Sequence, residues 1–582
     1  MKAERLLELY DRISEAPDAV SRLRRFVLDL AVRGKLVAQD PGDESPANLL
    51  LKVKEERERA IKEGIAKPRK KLDSISEAPF DLPANWLWTQ LGEIALYIQR
   101  GKSPKYASSE GIPVISQKCV QWQGLDLDAA KQITWESLET YDATRFLRHD
   151  DLLWNSTGTG TIGRVIRVRH PSDSLVCDSH VTVVRLAVID PEYVRIWLRS
   201  DHVYGTIEGS ATGSTNQVEL TARYANNLPV PLPPLAEQHR IVAKVDELMA
   251  LCDRLEEQHG TREATRDRLT TAILSRLTAP DNDEQSFRDH ARFALDTFPS
   301  LTARPDQIKA LRQTILDLAV RGKLVNQEPE DESATELFKR LSKAKEEAFA
   351  AEDLRKRQPV SESAQELGSV HAPGSWVQAK FDDVLVIVSG VTKGQKLSDH
   401  ESIEANYMRV ANVQRGFLDL SVVKKIKVRT TDFVRYRLEC GDVLMTEGGD
   451  WDKLGRAAVW RGQLSDCIHQ NHVFRLRPPS PELLPEWVVL FANSAVGRSF
   501  FAEASKRTTN LASINMTQLR SCPLPLPPTS EQRRIVAKVD ELMALCDRLE
   551  ANLQQADHKR ARLLESLLAE ALAPAEAALE AA

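Results

Sequence analysis

The chain has 582 residues, 42% of them hydrophobic and 28% charged, enough for several domains rather than one core. Seven cysteines with no C-x-x-C spacing argue against a disulfide or zinc framework, and no apolar run of 18 residues or secretory leader is present; a reduced, cytoplasmic protein is expected. The net charge of −5 lends no support to a nucleic-acid partner, although residues 81–230 sum to about −3 and 371–530 to about +4.

Residues 1–75 are expected to form an N-terminal helical segment. In it, VLDLAVRGKLV (27–37) is apolar-periodic and stops at Arg33-Gly34-Lys35, where glycine suits a C-cap. The pattern Gln-x-Pro-x-Asp-Glu-Ser (39–45) reads as a turn into a capped second helix, KVKEERERAIKEG. Residues 84–235 change texture. Stretches 161–169 and 181–186 alternate or are β-branched, as strands are, and predict a mixed α/β domain. Its end, 229–234, is a proline run that keeps the chain extended and stops the next helix growing backwards.

A spacer helix follows over 236–279. Ile241, Val245, Leu248, Cys252 and Leu255 recur at spacings of four and three, an a/d seam that His259-Gly260 interrupts and Arg262 and Arg266 weaken. Helical throughout, 237–275 would extend about 58 Å.

After a Pro-containing acidic stretch at 279–284, read as a hinge, the order restarts. A second helical segment (280–357) carries ILDLAVRGKLV at 315–325, and a second mixed domain (372–528) ends in the proline run 523–528. The C-terminal spacer helix (529–582) has the seam Ile535, Val539, Leu542, Cys546, Leu549 and Leu553. Residues 237–256 and 531–550 differ only at His239 against Arg533. The two inserts share little, but Asp151-Leu-Leu-Trp matches Asp442-Val-Leu-Met, Gly163-Arg164 matches Gly455-Arg456, and His180-Val181 matches His472-Val473. They read as one fold, twice, in an α+β protein.

Motifs for chemistry are weak. Residues 158–163 fit G-x-G-x-x-G, but a dinucleotide site needs a helix immediately afterwards and the alternating RVIRVR follows; a glycine-rich turn is expected. Gly101-Lys102-Ser103 lacks the earlier glycine of a P-loop, since Leu96 stands there. No zincin, nucleophile-elbow, nuclease or amino-methyltransferase motif is recognisable, so no catalytic residue and no metal ligand is expected. The basic run at 424–429 suits a solvated strand face as well as a phosphate contact.

The stretch PLPPLAEQHRIVAKVDELM (231–249), its copy at 525–543 and the two LDLAVRGKLV segments resemble the specificity subunit of type I restriction–modification enzymes over essentially the whole chain. The resemblance implies two target-recognition domains, each reading half of a bipartite, asymmetric DNA sequence. It implies that the repeated helices pair as an antiparallel coiled coil about a pseudo-two-fold axis. It also implies docking of two methyltransferase and two restriction subunits, which hold the S-adenosylmethionine, ATP and Mg²⁺ chemistry, with no cofactor in this chain and no membrane partner. Candidate DNA contacts, polar groups able to read base edges, are Arg164, His180, Thr212, Gly213, Ser214 and Asn216, then Arg456, His472, Lys506, Arg507, Thr509 and Asn510. Candidate partner contacts are Arg33, Lys35, Lys244 and Arg254, with Arg321, Lys323, Lys538 and Arg548, because a seam constrains only about two positions in seven and these lie outside it. Two other readings stand: a repeat scaffold for two different proteins without DNA, and an enzyme with an unrecognised motif. Steeply salt-dependent duplex binding separates the first. Assay of the chain alone with DNA, Mg²⁺ and S-adenosylmethionine separates the second.

Overall fold

The computed structural model describes residues 16–572 except 17, 69–70, 76, 108–110, 159, 173, 211–219, 280–283, 352–371, 393–401, 450–452 and 508–511. Two compact units emerge, residues 1–261 with 557–582, and residues 262–556. The first contains α1 (Ala19–Val32), α2 (Pro46–Lys62), β1 (Leu87–Gln90), β2 (Ala95–Arg100), β3 (Leu152–Asn155), β4 (Val165–Arg167), β5 (Val181–Leu186), α3 (Pro191–Leu198) and β6 (Pro229–Leu232). Helix α4 (Leu235–Leu277) follows. The second contains α5 (Glu284–Leu301), α6 (Pro305–Val320), α7 (Ala334–Ala351), β7 (Val377–Lys380), β8 (Val386–Ser389), β9 (Val443–Thr446), β10 (Ala457–Val459), β11 (Val473–Arg477), α8 (Pro485–Asn493), β12 (Pro523–Leu526) and α9 (Thr529–Leu572). The unit boundaries fall inside α4 and α9.

Each insert is built on the same antiparallel sheet, β2–β5–β3–β4 in one and β8–β11–β9–β10 in the other. A second sheet repeats too. Ile112–Ile115 pairs antiparallel with Lys131–Ile133 and parallel with Val176–Cys177, as Ser402–Met408 does with Lys424–Arg429 and Cys467–His469. A buried ion pair ties neighbouring strands of the first sheet at matched positions. Arg185 donates to both Asp151 carboxylate oxygens at 2.7 Å, and Arg477 to both of Asp442 at 2.6 and 2.8 Å. The carboxylates of Asp151 and Asp442 are almost wholly buried, where losing the cation would strand a charge. One fold therefore occurs twice, beneath sequences that have diverged.

The proline runs are more than extended linkers. β6 pairs antiparallel with β1, and β12 with β7, so each insert begins and ends in one two-stranded neck. Pro229 and Pro231, like Pro523 and Pro525, are two residues apart, which puts their missing N–H groups on the same strand edge, the placement strands tolerate.

The duplicated motifs meet at the start of each long helix. Glu237 is buried and accepts from Gln39 Nε2 at 3.3 Å and Asn85 Nδ2 at 3.1 Å; Glu531 accepts from Gln327 and from Trp376 Nε1 at 3.0 Å. Arg240 forms a two-pronged pair with Asp43, as Arg534 does with Asp331. Gln238 donates to Pro233 O and accepts from Asp190 N, both at 3.0 Å, and Gln532 does the same with Pro527 O and Leu484 N. The Gln-x-Pro-x-Asp-Glu-Ser and Glu-Gln-x-Arg segments are thus two halves of one clamp.

Gly34 and Gly322 close α1 and α6 with φ of +67° and +68°, and a Cβ there would stand 2.4 Å from Pro83 Cγ or 2.5 Å from Pro373 Cγ. Lys35 N and Lys323 N then reach back to Leu30 O and Leu318 O, a glycine-capped helix end.

One expectation is corrected. The first turns of each seam, expected to face the other long helix, are covered within their own unit. Ile241 and Val245 join a core with Val27, Leu28, Ala31 and Val32, and Ile535 and Val539 join one with Ile315, Ala319 and Val320. The reason is that the other repeat, read separately in the sequence, supplies the facing helix. Arg24 adds ion pairs to Asp253 and Glu256, repeated by Arg312 with Asp547 and Glu550. Residues 256–262 of α4 are exposed, where His259-Gly260 was expected to interrupt the seam, while the helix itself continues throughout Leu235–Leu277, about 65 Å at ~1.5 Å per residue. A single interior glycine costs only about 1 kcal/mol. Beyond it, Glu263 and Asp267 hold Arg304 at 2.9 and 2.7 Å. Among the described residues no helix is long and apolar enough to cross a membrane.

Candidate nucleic-acid interface

Three segments of each insert converge at one end of the four-stranded sheet. In the first, Ser156 N donates to His180 O at 2.9 Å and Leu220 N donates to Ser156 O at 2.8 Å. The loop after β3, the turn before β5 and the segment leading to the neck are thereby joined. In the second, Glu447 N donates to His472 O and Ile514 N to Glu447 O, both at 3.0 Å. His180 and His472 are exposed there. The His472 ring lies 2.5 Å from the Glu447 carboxylate, whereas the matching residue beside His180 is Ser156. The two surfaces share a frame and differ in charge.

A polar rim surrounds His180. Gln117 Oε1 accepts from the Thr157 and Thr161 hydroxyls at 3.2 and 3.4 Å, and Ser103 donates to Ser179 at 3.0 Å. His180 N donates to Asp178 Oδ1 at 2.8 Å, and burial pushes the Asp178 carboxyl above the usual carboxylate range. Residues 160–163 form a turn leading into strand β4, as the lack of a following helix predicted.

Arg164 and Arg456 occupy equivalent places and perform an equivalent task. Arg164 Nη1 donates to Gln121 Oε1 at 2.6 Å, and Arg456 Nη1 donates to Gln414 Oε1 at 2.6 Å. Each glutamine opens a tight turn, closed by pairing of Val120 with Leu125 and of Val413 with Leu418, whose tip carries an exposed aromatic, Trp122 or Phe417. Sequence reasoning missed Gln117, Gln121 and Gln414. The only available signal was a Val-Gln pair some forty residues before each matched arginine.

Lys506 and Arg507 lie in a strand that pairs with Ser513 and Ala512, which in turn pair with Gly448 and Gly449; this places them at the same end as His472. Thr212, Gly213, Ser214, Asn216, Thr509 and Asn510 lie outside the described residues.

The candidate partner contacts divide into two sets. Arg33 stacks over Phe80 at 4.6 Å, Arg321 donates to Thr278 O at 2.7 Å, and Lys323 lies 5.7 Å from the Phe287 ring, all within their own unit. Lys35, by contrast, is exposed. On the long helices, Lys244 pairs with Glu247 and Lys538 with Glu541 at the surface, while Arg254 and Arg548 are exposed. Residues 243, 246, 247, 250, 253 and 254 form an exposed stripe at helical spacing, with an identical counterpart at 537, 540, 541, 544, 547 and 548. Within the stripe, Asp253 and Asp547 take ion pairs from Arg24 and Arg312, and Glu247 and Glu541 from Lys244 and Lys538.

The family model for the type I restriction modification DNA specificity domain matches residues 83–262 and again 373–556. The chain is 28% identical to the type I restriction enzyme EcoEI specificity subunit of Escherichia coli, over 95% of this chain and 94% of that one. It is 29% identical to the EcoAI specificity subunit of the same species, over 94% and 93%. Among solved structures, the HsdS subunit from Thermoanaerobacter tengcongensis is similar at 18% identity and a TM-score of 0.41, covering 85% of this chain and 99% of that one. Two matched domains, in the order and spacing of the two repeated sheets, place this chain in the family of type I restriction–modification specificity subunits.

Proposed function

We propose that the chain reads a bipartite, asymmetric DNA target, one mixed domain to each half-site, and assembles two methyltransferase and two restriction subunits around it in the cytoplasm. The reading rests on one observation: the same sheet is built twice, framed by near-identical helices, beneath divergent surfaces. Similar domains set in opposite senses along a duplex present equivalent ends to the two half-sites, and different side chains there select different bases. The long helices pair antiparallel and set the half-site spacing near one turn of DNA, ~34 Å. His180, Arg164 and the rim around Gln117 face one half-site, and His472, Arg456 and the Lys506–Arg507 strand face the other. Thr212, Gly213, Ser214 and Asn216, and Thr509 and Asn510, belong to the same proposed sets of base contacts.

The chain itself is non-catalytic. S-adenosylmethionine, ATP and Mg²⁺ act in the partners, which dock on the repeated polar stripes around Lys244 and Arg254, and around Lys538 and Arg548. The domain limits follow the repeats, with recognition domains at 84–235 and 372–528. Exchanging residues 84–228 for the insert of a relative, then mapping methylated genomic sites, should change one half of the motif and preserve the other. If both halves change, or neither does, the domains are not independent readers.

A further inference from the structure

The second unit holds a cleft of about 750 Å³ between its insert and its repeated helices. Its floor is apolar, formed by Leu316, Val489, Leu490, Val536, Val539 and Met543. Its rim is cationic, with Lys309, Arg312, Arg415, Arg456, Arg461 and Arg498 against Glu486, Asp540 and Asp547. One wall comes from α6 and α9: α9 is identical at these positions to the first unit, and α6 keeps Arg312 and Leu316 but has Lys309 and Gln313 where the first unit has Ser21 and Arg25; the other is the Gln414–Phe417 turn of the divergent insert.

The first unit treats the equivalent place differently. There Trp122 lies 6.5 Å from the Tyr204 ring, with Arg199 over it at 5.4 Å, at the positions corresponding to Arg498 and Asn493. An aromatic ring of the chain itself thus stands over positions that line the open cleft in the second unit. Leu28 is buried, whereas its twin Leu316 is only half-buried, and Phe417 is 62% exposed.

An apolar trough edged by positive charge complements an apolar stripe edged by carboxylates, the helix-in-groove mode of recognition. The volume is that of a site for a few side chains. Nucleic acid fits it poorly, because a phosphate backbone gains nothing from a Leu, Val and Met floor. We propose that this cleft receives an acidic amphipathic helix of a partner protein, with its apolar residues on the Leu316–Met543 floor and its carboxylates on the arginine rim. The inference rests on the reading that the chain assembles partner subunits.

The test uses the full chain with its methyltransferase subunit and a target duplex. A photo-crosslinking residue in place of Leu316 should join a partner peptide with acidic residues flanking an i, i+3, i+4 apolar pattern. Lys309→Glu with Arg461→Glu should weaken binding of one methyltransferase copy at least tenfold. A plugging variant, Arg415→Trp with Arg498→Tyr, which copies the first unit, should do the same. All variants should leave binding to the first half-site and far-UV circular dichroism unchanged. Unchanged partner affinity in both variants, or a crosslink to DNA or to a non-acidic peptide, overturns the cleft assignment alone. Failure of the unaltered chain to bind any methyltransferase overturns the assembly reading itself.

Discussion

Replacing Gln238 tests whether the duplicated Glu-Gln pair is a clamp rather than a relic of copying. Its side chain is fully buried and bridges Pro233 O and Asp190 N at 3.0 Å each, linking the neck, the start of α3 and the start of α4. In Gln238→Ala both backbone groups lose their partner inside the protein. Each such orphan costs about 1–3 kcal/mol, so the sum is roughly 2–6 kcal/mol. For a unit of this size that corresponds to a fall of roughly 3–10 °C in its unfolding temperature. Gln238→Leu is the informative control, since it restores volume but neither hydrogen bond; most of the loss should persist. Gln532→Ala should carry the same cost, through Pro527 O and Leu484 N, in the other unit. Differential scanning calorimetry of the full chain, resolving two transitions, is the assay. The reasoning fails if Gln238→Leu unfolds like the parent protein, or if the Gln238 and Gln532 variants move the same transition.

Gly34→Ala and Gly322→Ala should each cost at least about 2 kcal/mol, from a strained left-handed backbone and a Cβ driven into Pro83 or Pro373; urea midpoints check this. His469 is completely buried as a neutral ring bonded to Val473 O at 2.7 Å, and burial holds its pKa down at about 4. Because the unfolded chain protonates near 6.5, this contribution to stability is complete above that pH and is lost as pH falls towards 4, on the order of 3 kcal/mol in the second unit. Urea curves at pH 7 and 4.5 should show that loss in the parent chain and not in His469→Leu; parallel pH dependence in both would refute it. Reversing charge at Lys244 and Arg254 together should reduce bound methyltransferase from two copies to one by native mass spectrometry. Two copies retained there, and again with Lys538 and Arg548 reversed, would place docking elsewhere.

The repeats were legible because both helical periodicity and near-identity survive in one dimension. Helices α1, α2, α4, α6, α7 and α9 follow from apolar spacing, serine caps and the two terminating glycines. The paired inserts were legible only through Asp151, Arg164, His180 and their counterparts. The structure gives a reason in part: Asp151 and Asp442 anchor the buried ion pair, and Arg164 and Arg456 hold the turns. The rest was hidden because it depends on distant partners. That Gln39 seeks Glu237, or that Pro229 would pair with Gln90, is a long-range event with no local periodicity. The first turns of each seam were misread for the same reason. An a/d pattern reports that a helix face is buried, not which helix buries it.

The necks have a consequence for how such a chain can change. Because β1 meets β6 and β7 meets β12 over four residue pairs each, everything between them hangs as a closed excursion from a fixed stem. Adding or removing residues inside an excursion does not rotate the helix that follows, and longer loops cost only logarithmically more entropy to close. Insertion of a single residue into the helix itself would instead turn every later side chain by about 100°. The two traits are therefore heritable separately: one set of changes alters what is recognised, and another alters the frame that holds it.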